Sequence, residues 1–114
     1  MNWTALESED QLAQLKKESE TQPVLIFKHS TRCAISSMVL NRLERNDWEE
    51  NKMASLRMYY LDLIAHRSIS NAVSEIFEVE HQSPQVVVIQ NGRPTYVKSH
   101  YDINFDAIRE NVFP

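Results

Sequence analysis

The chain has 114 residues, 42% of them hydrophobic and 25% charged, with a net charge of −4 and a pI near 5.5. That length can bury one core without disulfides or metals, and we read 1–114 as a single domain. The acidic balance excludes a global basic field for nucleic acid, the lone cysteine excludes an intrachain disulfide and a multi-cysteine zinc site, and the lone glycine, Gly92, excludes glycine-rich phosphate loops.

Trp3 to Leu6 reads as a short edge strand or entry segment. Ser8 opens a capping-box pattern with Gln11 three residues on, and Leu12 and Leu15 share one face of the helix that follows. Pro23 ends that helix. Val24-Leu-Ile-Phe-Lys28 then reads as a buried strand, apolar on both faces. Ser30-Thr31-Arg32 is a short loop. From Cys33 to about Arg45 the pattern is helical, with Ile35, Val39 and Leu43 on the apolar face and Met38 beside them. The acidic residues Asp47, Glu49 and Glu50 read as a solvated loop, and Trp48 as core or half-buried sheet.

Leu56 to Leu63 predicts a second strand, with Met58, Tyr59 and Tyr60 buried or half-buried in the sheet and Asp62 as a turn former. Ser68 is the expected cap of a third helix whose apolar face is Ile69, Ala72, Val73 and Ile76. After Ser83-Pro84, the β-branched run Val86 to Ile89 predicts a strand, Asn91-Gly92 a hairpin turn, and Thr95 to Ser99 the returning strand, placed near an edge by Pro94. Asn104 caps a last helix carrying Phe105, Ile108 and Val112. This order predicts an α/β fold, a central mixed sheet of four to five strands with helices on both faces.

Cys33 stands where a strand hands over to a helix. The first helical N–H groups have no intrahelical partner and can donate to sulfur, and the helix dipole places positive charge there. Helix N-termini and nearby cations favour thiolates. Arg32 is adjacent, Lys28 and His29 are close, and Ser36 lies one turn on, so that its hydroxyl or backbone N–H is expected to face the sulfur. The opposing reading is an inert buried thiol. The polar neighbours Ser30, Thr31 and Arg32, in a loop after a sheet strand, favour the reactive one. The four histidines show no short metal-ligand spacing. No run approaches the roughly 20 apolar residues of a membrane span, and the acidic N-terminus lacks the apolar core of a secretion signal. A cytoplasmic protein without membrane or nucleic-acid partners is expected.

Strand, short loop, Cys-x-x-Ser at a helix start, then Ser83-Pro84 before a β-branched strand and hairpin: this succession resembles the thioredoxin fold. More narrowly it resembles the monothiol bacilliredoxins, which carry a Thr-Cys-Pro-Ile-Ser type motif. Cys33, Ile35 and Ser36 match that motif; Ala34 stands where proline is usual, and Arg32 intervenes between Thr31 and Cys33. The resemblance covers nearly the whole chain. It implies a thiol–disulfide oxidoreductase that removes a small thiol, bacillithiol, from mixed disulfides on client proteins as part of a redox stress response. Cys33 is then the nucleophile, supported by Ser36 and Arg32. Thr31, Ala34, Ser83 and Pro84 line the substrate site, with Pro84 where thioredoxin-like proteins carry a cis-proline. No tightly bound cofactor or metal is implied. The expected partners are S-thiolated clients, the small thiol as co-substrate and a reductase for its disulfide, acting on a monomer or weak dimer. Two rivals remain at this level: a glutaredoxin-like iron–sulfur carrier, and a non-catalytic thioredoxin-like module that recruits partners along the hairpin edge.

Overall fold

In the computed structural model, which describes residues 3–49 and 51–114, the chain forms a five-stranded mixed sheet with helices on both faces. The elements are β1 (Trp3–Ala5), α1 (Glu9–Glu18), β2 (Val24–His29), α2 (Ala34–Glu44), β3 (Arg57–Asp62), α3 (Arg67–Ile76), β4 (Gln85–Gln90), β5 (Arg93–Ser99) and α4 (Phe105–Val112). Short 3-10 turns fall at Asn51–Ser55 and His100–Asp102. The spatial order is β1-β3-β2-β4-β5. Strands β1 and β2 run parallel to β3, β4 runs antiparallel to β2, and β5 runs antiparallel to β4. This is the expected α/β architecture. Glu50 lies outside the described residues.

Central strand β2 explains why its sequence carries no alternation of apolar and polar residues. All six of its residues are buried, because helices cover both faces. Val24 and Ile26 join the core beneath α1 and α3, while Leu25 and Phe27 join the core beneath α2 and α4. Burying a side chain such as Phe27 contributes roughly 1.5–3 kcal/mol. The alternation continues past the apolar run. Lys28 bonds to residues of α3, and His29 bonds to a residue of α2.

Local chemistry sets most boundaries. Ser8 caps α1 in a capping box closed by Gln11. Asn104 caps α4 by accepting from the Ala107 N–H at 2.9 Å. Asn91 and Gly92 take φ values of 54° and 74°, the left-handed pair that a tight two-residue hairpin requires. That hairpin is tied to the end of α1, with the Gly92 N–H donating to Ser19 Oγ.

Three expectations change. The buried residues of α2 are Ser36, Val39 and Leu43, while Ile35 and Met38 are exposed. A serine holds the expected place of an isoleucine in the core-facing stripe because its hydroxyl finds two partners there. Helix α3 starts at Arg67, with His66 rather than Ser68 in the N-cap position. The Asp62 carboxylate accepts from the N–H groups of Ile64 and Ala65, and this turn leads the chain into α3 before Ser68 is reached. Ile76 is exposed, while Ile69, Ser70 and Val73 form the buried stripe of α3.

Candidate active site

Strand β2 delivers its last residue, His29, to the carboxyl end of the parallel strands, where open α/β sheets place their ligand sites. The loop after it turns back at once, with the Cys33 N–H donating to Ser30 O at 3.2 Å. Cys33 is the N-cap of α2, in extended geometry (φ −109°, ψ 118°), and its side chain makes no capping hydrogen bond. It is half-buried. The first N–H to reach back along the helix is that of Ser37, to Cys33 O at 3.1 Å. Among the described residues the N–H groups of Ala34, Ile35 and Ser36 are therefore the open donors of the helix start. Proline at 34 would remove one of them. Thr31, Arg32 and Ala34 are exposed around the thiol.

Ser83 and Pro84 come to the same end from β4. The register pairs Lys28 with Gln85, so the residues preceding Gln85 run beside the loop that follows β2. The Ser83–Pro84 peptide bond is cis, and Pro84 is buried. Its carbonyl accepts from the His100 N–H at 2.9 Å, which ties the loop to the segment between β5 and α4. Ser83 Oγ is buried without a hydrogen-bond partner among the described residues, which is uncommon for a buried hydroxyl.

The Ser36 hydroxyl is committed elsewhere than the sulfur. It accepts from the Ser30 N–H at 3.2 Å and shares a 2.7 Å hydrogen bond with His29 Nδ1. His29 is itself buried, with its ring stacked on Phe27 and tilted against Tyr60. Burial pushes its pKa below the usual 6.5, against the opposing pull of Asp62 and Glu44. The pair His29–Ser36 thus braces the loop 30–32 against the first turn of α2 from below. Ser36→Ala leaves the Ser30 N–H and His29 Nδ1 short of a partner in a buried place. A cost of about 1–3 kcal/mol in urea denaturation is expected.

Sequence reasoning counted Lys28 only as a cation close to Cys33, but its ammonium turns instead toward α3, on the other face of the sheet from α2, and that role was missed. Lys28 is fully buried, and its ammonium donates to Ser70 O at 3.1 Å, Ser74 Oγ at 3.0 Å and His81 Nδ1 at 3.3 Å. Burial lowers its pKa from 10.5 to about 8. The available signal was its position, a lysine in register at the end of a strand buried on both faces. Arg42 was also missed; it donates from α2 to Tyr101 O and Ile103 O and so clamps the loop that meets Pro84. Among the described residues no group of three or more His, Cys, Asp or Glu is placed to hold a metal ion. No helix of those residues is long and apolar enough to cross a membrane.

The family model described as monothiol bacilliredoxin BrxC matches residues 4–108. A solved structure described as a thioredoxin-fold protein of suggested oxidoreductase activity superposes with a TM-score of 0.79 at 28% identity, covering 94% of this chain and 90% of that one. Thioredoxin from Malassezia sympodialis gives a TM-score of 0.74 at 16% identity, over 97% and 88% of the two chains. Thioredoxin f2 from Chlamydomonas reinhardtii gives 0.74 at 9% identity, over 99% of each. The last two are similar in fold alone.

Proposed function

The chain belongs to the monothiol bacilliredoxin family, and from that premise we propose that it reduces mixed disulfides between client proteins and a small thiol, bacillithiol, through Cys33. The observation that carries this reading is the setting of the sulfur. Cys33 is half-buried rather than enclosed, stands at the unpaired N–H groups of α2, and belongs to a chain with no second cysteine.

The Cys33 thiolate attacks the bacillithiol sulfur of the mixed disulfide. A new S–S bond forms to Cys33, the old one breaks, and the client leaves as a thiolate that takes a proton from solvent. Serine at position 36 cannot displace the adduct. A second bacillithiol thiolate attacks it, which returns Cys33 as thiolate and yields bacillithiol disulfide. A separate disulfide reductase supplies the two electrons that recover the small thiol. Arg32 and the N–H groups of Ala34, Ile35 and Ser36 stabilise negative charge on sulfur. Thr31 and Ala34 flank the thiol, and Ser83 with Pro84 offers polar groups to the client backbone. The protein works in the cytoplasm, where small thiols are kept reduced, without a tightly bound cofactor and as a monomer or weak dimer.

The test compares one single-cysteine client S-thiolated with bacillithiol or with glutathione. Faster release of free client thiol from the bacillithiol form, continuing past one turnover only when bacillithiol is added, is expected. Equal rates on both forms overturn the assignment of the small thiol, and no release from either overturns the activity.

A further inference from the structure

Lys28 is a buried cation that pairs with no carboxylate among the described residues. Its three donors are matched by three acceptors: Ser70 O and Ser74 Oγ of α3, and His81 Nδ1. An ammonium has donors only. His81 must therefore turn the lone pair of Nδ1 inward, which makes the ring neutral and puts its proton on Nε2. Ser70 Oγ also lies within 3.4 Å of the same nitrogen. The surroundings push the same way, since burial, Lys28 and Arg67 all lower the His81 pKa. Glu80, the adjacent acid, is exposed and pairs with Gln82.

The location gives this lock a use. His81 lies two residues before Ser83 in the segment that leads to cis-Pro84. The strand residue paired with Lys28, Gln85, directly follows that proline, and its side chain donates to Glu80 O at 2.9 Å. The 80–85 segment is thus held at its far end by Gln85 in the sheet, and at its start by Lys28 through His81 and by the Gln85 side chain through Glu80 O. His29, the next residue along β2, braces the Cys33 loop from the opposite face. Two successive side chains of one strand hold the two loops between which a mixed disulfide has to fit.

We propose that Lys28 is a positioning residue: through His81 Nδ1 it fixes the segment carrying Ser83–Pro84 and leaves His81 Nε2–H as an oriented donor for the client chain. This deepens the reading of Cys33 as a mixed-disulfide reductase and rests on it for the word client; the lock itself does not depend on it.

The first readout is the His81 ring by 15N NMR in the intact protein. The Nε2–H tautomer near pH 7 and an upward move of the titration midpoint in Lys28→Met are expected. The second is steady-state reduction of a bacillithiol-thiolated client. Lys28→Met and His81→Ala are each expected to raise KM about tenfold, the loss of one well-placed hydrogen bond, with kcat little altered. The double variant is expected to be no worse than either single one. Alkylation of Cys33 by iodoacetamide, a reagent too small to need the loop, is expected to be unchanged. Multiplying KM effects, or a His81 ring indifferent to Lys28→Met, overturn the proposal. Should Lys28→Met not fold, an unchanged KM in His81→Ala, at an exposed position, overturns it as well. A wild-type protein that reduces no client refutes the activity and leaves the NMR result to judge the lock.

Discussion

Cys33→Ser is expected to bring client reduction down to the uncatalysed background, a loss of roughly 1,000-fold or more in kcat/KM. A serine hydroxyl has no tendency to ionise here and forms no S–S bond, so the sequence of exchanges stops at its first step. The same substitution is expected to leave the fold intact or tighten it. The thiol makes no capping hydrogen bond at the start of α2. Serine in the same extended geometry is a preferred N-cap and can accept from an unpaired N–H, a gain of about 0.5–1 kcal/mol. Loss of activity together with equal or higher resistance to urea assigns Cys33 to chemistry. Loss of activity together with unfolding would assign it to packing.

Lys28→Met is the second large effect, and it appears in the pH dependence of stability. The Lys28 ammonium titrates at about 8 in the folded protein against 10.5 in the unfolded chain. Between those values the unfolded chain holds a proton that the folded protein has released. Stability therefore rises with pH across that window, and below pH 8 the folded state carries the full cost of a charge held out of water. At about 1.4 kcal/mol per pH unit the difference amounts to roughly 3 kcal/mol. Methionine has nearly the same reach and nothing to ionise. The stability of wild type minus that of Lys28→Met is expected to move by roughly this amount in favour of wild type between pH 7.5 and 10.5. Titrations shared by the two proteins cancel in the difference. A flat difference would mean that Lys28 keeps its ordinary pKa and is not desolvated. At pH 7 the variant is expected to equal or exceed wild type in stability while binding clients less well, the usual exchange between a stable interior and a functional one.

The elements that local chemistry dictates were legible in the sequence. The Ser8–Gln11 capping box, the Asn91–Gly92 hairpin and the Asn104 cap each need only residues within a few positions of one another. The handover from β2 to α2 at Cys33 was legible for the same reason. What escaped depends on distant partners. Lys28 closes an apolar run and reads as the polar end of a strand. Its burial comes from residues 42, 46 and 53 positions away. Periodicity put Ile35 on the buried face of α2 and Ser36 at the sulfur. The hydroxyl instead turns to His29, seven residues back on β2, and the buried stripe of the helix follows it. A hydrophobic pattern has no means of recording that a serine is welcome in a core because a histidine waits there. The start of α3 was misplaced in the same way, since Asp62 rather than Ser68 supplies the turn.

The measurement that tests the central claim most directly is the intact mass of the protein after reaction with a bacillithiol-thiolated client in the absence of free thiol. One bacillithiol added to the chain at Cys33, with an equal amount of client released as free thiol, is the predicted result. A covalent complex between Cys33 and the client, or an unmodified chain beside untouched client, would contradict it.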